Sequence, residues 1–405
     1  MIASLAWRNI WRQPTRTALS LIGMSFAAML LVFMLSFQFG SYDSMKENML
    51  RINDGFGQIQ PPGYKADPEI TKVIHDPDGL IRELESIPQI TTASARANGF
   101  VLLANGERSF AAAVAGVDPA RENRITRIPS LIKQGRALRP GDSAAIVLGD
   151  ALARNLRLKV GDQVTLLGSG MDGSVAADVL TVIGIFRTGV PEIDRQIAHM
   201  PLDRFRETFV MDGAVNEVAI IGRTLGDILK IEPRLRKIAA RHDAVYLNWG
   251  ELQPAIKQAI RLDMTTAALM YTTLVIVVVF IILNTLYMSV LERTREFGVL
   301  LAVGMKPGQI GRMVWMEIIF LSLVGVGIGI ALGMGLAWYF GRVGITFEGM
   351  EQIFSQWGLP SRIYPRMTPF RVLAGPLAIL VLIALAGVIP YRRVLGLEPV
   401  EAMNA

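Results

Sequence analysis

The 405-residue chain contains no cysteine. Disulfides, thiolate catalysis and zinc–thiolate sites are therefore excluded. Histidine is almost as scarce: His75, His199 and His242 lie far apart and share no ligand spacing. Charge is thin as well. Asp, Glu, Lys and Arg make up 19% of the residues, against roughly 25% in soluble domains. No G-x-x-x-x-G-K-[ST] phosphate loop occurs, and neither does G-x-S-x-G or H-E-x-x-H. No spacing of Asp and Glu marks a general acid and base. We therefore assign no catalytic, cofactor-binding or metal-ligating residue, and any ATP and Mg would be bound by a partner.

What the chain has in abundance is apolar surface. It is 51% hydrophobic, and the mean hydropathy is +0.39. Four runs are long enough to span a bilayer core, which takes ~20 residues. They cover 18–40, 264–291, 313–340 and 372–390. The first run is longer than the ~7–15-residue core of a secretory signal, so it reads as an uncleaved anchor. Basic residues orient the spans. Arg8, Arg12 and Arg16 precede the first run; Arg293, Arg295, Lys306 and Arg312 separate the second from the third; Arg392 and Arg393 follow the fourth. Four spans put all three clusters on the cytoplasmic side, with both termini inside. Arg342, Arg362, Arg366 and Arg371 in the outer loop 341–371 run against that pattern. The net charge of +6 is thus explained by topology, and no nucleic-acid partner is implied. Residues 1–17, with Arg8, Arg12 and Arg16 four apart beside Trp7 and Trp11, predict one amphipathic helix at the cytoplasmic interface. Residues 391–405 form a cytoplasmic tail.

Glu317 is the single acid inside the third run. About one turn in, it is expected to snorkel to the interface. In the same run Gly325, Gly329 and Gly333 share one helical face. That face suits close packing, within the chain or against a second permease subunit.

Between the first two spans lie residues 41–262, an external domain of about 220 residues and mixed α and β character. A hairpin is expected at 100–117 around Asn105–Gly106, strand–helix–strand at 144–168, and another such unit at 217–247. The alternation suggests a βαβ-rich part (42–118 and 191–262) and an inserted β-rich part (119–190). After Phe39, SYDSMKENMLRIN holds no helix breaker until Asp54–Gly55, so one helix of roughly 50 Å is expected from Ala18 to about Asn53. Residues 249–263 form a second stalk leading into the second span. Met34, Met45 and Met49 fall on one face of the first stalk, an adaptable lining for acyl chains.

The segment 292–312 joins the second and third spans. Phe297, Leu300 and Leu301 make an i, i+3, i+4 apolar patch, rimmed by Glu292, Arg293, Arg295 and Glu296. Gly298 lies beside Phe297. Gly304, followed by Met305, is placed to end a short helix, and Pro307 to start the next.

Three motifs carry a family resemblance: LAWRNIWRQPTRTALSLIG at 5–23, ERTREFGVLLAVGMKPGQI at 292–310, and YRRVLGLEPVEAMN at 391–404. With the one-plus-three arrangement of spans, the chain resembles the MacB/FtsX-like permeases of type VII ABC transporters. GQIQPPGYKADP at 57–68, and the lack of a fused ATPase, look more like the lipoprotein-releasing LolC/LolE branch. The resemblance implies an inner-membrane permease that is not itself an enzyme. Two permease subunits, identical or different, would pair with two copies of a cytoplasmic ATPase. Residues 292–305 would receive its push and pass it outward by mechanotransmission. Lipoprotein or another lipidated substrate would be released to a periplasmic carrier. The other activities in the same superfamily are efflux of small amphiphiles with a periplasmic adaptor and signalling to a cell-wall hydrolase.

Overall fold

The computed structural model describes residues 2–12, 14–349, 354 and 362–396. It divides into two compact units. One comprises Met1–Tyr42, Ala259–Thr346 and Arg362–Ala405; the other comprises Asp43–Gln258 and Phe347–Ser361.

The first unit is helical. Helix α1 spans Ile2–Ile10, and α2 runs unbroken over Pro14–Ile52. Residues 1–17 are therefore not one helix. Proline lacks the amide hydrogen needed to continue α1 but fits the first turn of a new helix. Pro14 starts α2, so Arg8 and Arg16 belong to different helices. Helix α3 covers Pro254–Glu292, α4 Thr294–Ala302, α5 Pro307–Val343, α6 Pro369–Ala386 and α7 Val388–Leu395. Four helical segments, Pro14–Ile52, Pro254–Glu292, Pro307–Val343 and Pro369–Leu395, are long and apolar enough to cross a membrane. Each contains one expected span. Of the expected tail, 397–405 lies outside the described residues, as do 350–353 and 355–361 of the outer loop.

The second stalk differs from expectation. Trp249–Leu252 is a separate turn, capped by Asn248 and Glu251, and the long helix begins only at Pro254. The methionine stripe is not a common lining either. Met34 is exposed, Met45 is buried and Met49 is half-buried.

The glycine face of α5 packs inside the chain, against α2. A Cβ at Gly325 would lie 2.9 Å from the Met24 Cβ, at Gly329 2.6 Å from the Ala28 Cβ, and at Gly333 2.7 Å from the Val32 Cβ. All three distances are shorter than van der Waals contact. The Ser25 hydroxyl donates to the Gly325 carbonyl at 2.8 Å, adding a polar tie to a packed interface in lipid.

The second unit holds a ten-stranded sheet. Its strands are β1 (Gly57–Gln60), β2 (Ile90–Asn105), β3 (Arg108–Val117), β4 (Ile132–Gly135), β5 (Ala145–Gly149), β6 (Gln163–Ser169), β7 (Val175–Phe186), β8 (Ile197–Pro201), β9 (Glu217–Gly222) and β10 (Val245–Asn248). The order is β10-β1-β9-β2-β3-β8-β5-β7-β4, with β6 bridging β2 and β7. The expected hairpin is β2–β3, which turns at Gly106 with φ of 59°. The expected inserted part, 119–190, is not a separate body. Its strands β4–β7 continue the same sheet, because β8 pairs with β3 on one edge and β5 on the other, and β6 pairs with β2. An exposed β3 edge would leave amide and carbonyl groups without partners.

One face of β2 carries Val101 and Leu103 into the core, where Phe205 and Phe209 of the helix Leu202–Phe209 pack. Gly99 and Gly116 leave the space for Phe205. On the other face Arg96 is buried with two carboxylates. Its Nη2 donates to Glu122 at 2.6 Å and its Nη1 to Glu217 at 3.1 Å. Burial opposes the guanidinium charge, but the two carboxylates outweigh it. Burial also lifts the Glu217 carboxyl above its usual range, with Arg96 pulling the other way.

His199 on β8 lies on this same face, 4% exposed. Burial pushes its imidazole down to about 4, so the folded chain keeps it neutral. The stabilisation this gives is fully present above the unfolded value near 6.5 and is lost as pH falls through 4. At its limit the loss is roughly 3 kcal/mol. Glu217, raised in the fold, opposes part of it. We expect the urea midpoint of the external domain to fall between pH 7 and pH 4.5, and His199→Phe to flatten that fall. An equally steep fall in the variant would remove His199 as the cause.

Candidate functional site

The elbow between α3 and α5 is built by backbone chemistry. Arg293 breaks the end of α3, and α4 follows for nine residues. Gly304 takes φ of +102°, which a side chain would resist. Its amide donates to the Leu301 carbonyl at 3.0 Å, and that of Met305 to the Leu300 carbonyl at 3.1 Å. These two bonds close the end of α4. Pro307 then opens α5, and the Gln309 side chain accepts from the Lys306 amide at 3.1 Å. The expected punctuation is thus present at the expected residues.

The expected patch faces the other way. Phe297 is fully buried and Gly298 is buried beside it. Leu300, Leu301 and Met305 pack half-buried against the same helical core. This core also takes in Ile310, Met313 and Val314 of α5. An aromatic at the end of a helical bundle gains more from this pocket than from water. Apart from Glu296, which pairs with Arg12 and Arg293, the exposed surface of α4 is Arg295, Val299 and Ala302, continuing into Val303; Val299 is 52% and Val303 81% exposed. Residues 295, 299, 302 and 303 follow the i, i+4, i+7, i+8 spacing of a single helical face.

Ion pairs tie the elbow to the amino-terminal helices. Glu317 does not snorkel. Its Oε2 accepts from Arg293 Nη1 at 2.9 Å and its Oε1 from Asn9 Nδ2 at 2.7 Å. The Arg293 and Glu317 side chains are both mostly buried. Arg293 also reaches Glu296 at 3.3 Å and lies over the Phe297 ring. Arg12 lies 3.5 Å from Glu296, and Arg16 donates to Glu292 at 2.6 Å. Arg16 makes a second bond, to the Thr285 carbonyl at 2.7 Å. A cavity of about 220 Å³ lies within this network, lined by Asn9, Arg12, Arg16, Arg293, Glu296 and Glu317 among others. Charge-assisted hydrogen bonds thus join Arg293 of the elbow to α5, α5 to α1 through Asn9, and α2 to the end of α3 through Arg16.

Asn9 and the partners of Glu317 escaped the sequence reading. An acid inside an apolar run requires a partner, so the need was visible. The identity of the partners was not, because residues 9, 293 and 317 meet only in three dimensions.

The sequence matches the MacB-like periplasmic core domain over residues 17–237 and the FtsX-like permease C-terminal family over 268–399. It is 25% identical over 404 residues to the lipoprotein-releasing system transmembrane protein LolC of Neisseria meningitidis, covering 96% of this chain and 94% of the relative. It is 22% identical to the corresponding LolE of Haemophilus influenzae, covering 95% and 93%. The periplasmic region of MacB from Actinobacillus actinomycetemcomitans is a structural neighbour with a TM-score of 0.37 and 14% identity, covering 53% of this chain and 97% of that one.

The burial pattern makes a stability prediction. Phe297→Ala should destabilise the detergent-solubilised protein by about 3–5 kcal/mol, whereas Val303→Ala should change it by about 0.5 kcal/mol or less. Thermal denaturation of the two variants checks this. Equal losses would mean that α4 is turned the other way.

Proposed function

Since this chain belongs to the MacB/FtsX-like family of ABC transporter permeases, we propose that its elbow receives the stroke of a separate cytoplasmic ATPase, two copies serving a pair of permeases. It is a multi-pass membrane protein with a periplasmic-type domain. The observation that carries the proposal is the division of α4 into two faces. Phe297 and Gly298 lock one face into the bundle, while Arg295, Val299, Ala302 and Val303 are left for a partner. A lever needs both an anchored side and a free side.

The stroke would move α1, α3 and α5 together through Arg293, Glu317 and Asn9. Helices α2 and α3 are 39 residues each, about twice the ~20 residues needed to cross the bilayer. Long continuous helices suit a mechanotransmission mechanism, because displacement at one end costs hydrogen bonds unless the whole rod moves. Near full-length similarity to LolC and LolE relatives supports lipoprotein, or another lipidated amphiphile, as the substrate released from the membrane. With the elbow on the cytoplasmic side, both termini would be cytoplasmic.

Val303→Glu, on the free face, tests this. We expect the variant to keep its thermal stability but to lose co-elution with the ATPase and at least roughly tenfold in ATPase affinity, as for removal of an apolar interface anchor. Mass spectrometry of what co-purifies with the unaltered complex should find acylated lipoproteins. Undiminished ATPase binding by Val303→Glu would overturn the assignment of the face. Recovery of a cell-wall hydrolase in place of lipoproteins would overturn the substrate.

A further inference from the structure

The segment GQIQPPGYKADP, 57–68, plays no part in the elbow. In the external domain it forms strand β1 and the loop that follows it, and its side chains wall a cavity of about 280 Å³. Gln58, Gln60, Tyr64, Lys65 and Pro68 all line it. The opposite wall is the outer face of β2, β3 and β8, at Asn98, Phe100, Ala113 and Ile197. The register makes this one continuous face, since Phe100 pairs with Ala113 and Ala113 with Ile197.

The inner end is rich in acceptors. Gln60 is 3% exposed. Its Nε2 is used twice, donating to Gln58 Oε1 at 2.7 Å and Glu217 Oε2 at 3.2 Å. Among the described residues its Oε1 has no hydrogen-bond partner. A buried amide oxygen without a donor costs about 1–3 kcal/mol, and such atoms are uncommon in folded proteins. Arg96 points its donors elsewhere. Its Nε and Nη2 are taken by Glu122 and its Nη1 by Glu217. Asp54 and Glu217 line the cavity with Arg96 and Lys65, but Arg96 is shared with Glu122 behind the wall, so the Arg96–Glu122–Glu217 group carries one carboxylate in excess. The outer end is apolar and open. The Phe100 side chain is 70% exposed above Ala113.

We propose that this cavity binds the ammonium group of an amine-bearing amphiphile, which donates to Gln60 Oε1 and lies against the Glu217 carboxylate while its apolar part covers Phe100 and Ala113. The charge excess selects a cation over an anion. The unpartnered acceptor selects a donor over a quaternary ammonium. The exposed ring selects an alkyl chain over a free small amine. The volume admits a head group and a few carbons but not a folded peptide. The site needs no nucleotide and no ATPase, so it stands or fails apart from the elbow's role.

The test uses the full chain in lipid nanodiscs and photoreactive six-carbon probes with a terminal ammonium, trimethylammonium, carboxylate or alcohol. After irradiation, peptide mapping reads labelling at 61–68 and at 98–102. We expect the primary ammonium to label these peptides roughly tenfold more than the carboxylate, the value of one charge-assisted hydrogen bond, and more than the trimethylammonium. Gln60→Leu should abolish the preference for the primary amine. Lys65→Glu, on the exposed rim, should raise ammonium labelling without touching the core, and Phe100→Ala should lower labelling by every probe. Equal labelling by ammonium and carboxylate would overturn the proposal. So would a primary-amine preference that survives Gln60→Leu in a protein with unchanged thermal stability. If Gln60→Leu does not fold, failure of Lys65→Glu to raise ammonium labelling overturns it.

Discussion

The approach of α2 to α5 is the constraint on which the membrane unit depends. In hydrocarbon there is no water to drive apolar helices together, so contact distance and interhelical hydrogen bonds do the work. Gly325, Gly329 and Gly333 remove three side chains from one face, and the backbone of α2 enters the space they leave. The same α2 carries Leu31, which fits against Gly375 of α6 at 3.0 Å from its missing Cβ. It also carries Gln38, whose side-chain oxygen accepts from Tyr271 of α3 at 2.7 Å. Three helices thus contact α2: α5 and α6 through glycines, and α3 through a hydrogen bond.

Charge inside an apolar surrounding is handled the same way in both units. Arg293 meets Glu317, with Asn9 completing the carboxylate; Arg96 meets Glu122 and Glu217. Removing one member of such a group leaves an uncompensated charge, which costs more than the intact group contributes. Groups of this kind therefore fix geometry more than they add stability. In the elbow they fix α4 against α1 and α5. In the external domain they pin the helix Pro119–Ile125, through Glu122, to the neighbouring strands β2 and β9.

The four spans, the unbroken first stalk, the β2–β3 turn and the ends of α4 were legible because each depends on local chemistry: apolar length, absence of breakers, Asn105–Gly106, Gly304 and Pro307. The glycine face was legible as a face, but whether its partner was internal or a second subunit was not. The direction of α4 was missed because Phe297, Leu300 and Leu301 have the same spacing whether they cover a partner or their own core. Continuity of the sheet through 119–190 was missed because β8, which joins the two halves, is only five residues long. The buried Arg96 was missed because an arginine in a strand ordinarily reads as solvent-facing. What was local could be read, and what required two distant segments to meet could not.

Strand β1 pairs with β9 on one side and β10 on the other: Gly57 lies opposite Ile220 and Asn248. Its partners are thus made about 160 residues or more after it. At about 5–20 residues per second of synthesis, the strand waits roughly 8–40 s for them. During that time it is an unpaired edge, the condition that invites wrong pairing with another chain. The strand is only four residues long and runs straight into Pro61 and Pro62, which have no amide hydrogen for a ladder and make it a poor template for aggregation. The prolines that turn the chain from β1 into the cavity wall of the finished domain thus also guard the nascent strand before the domain closes.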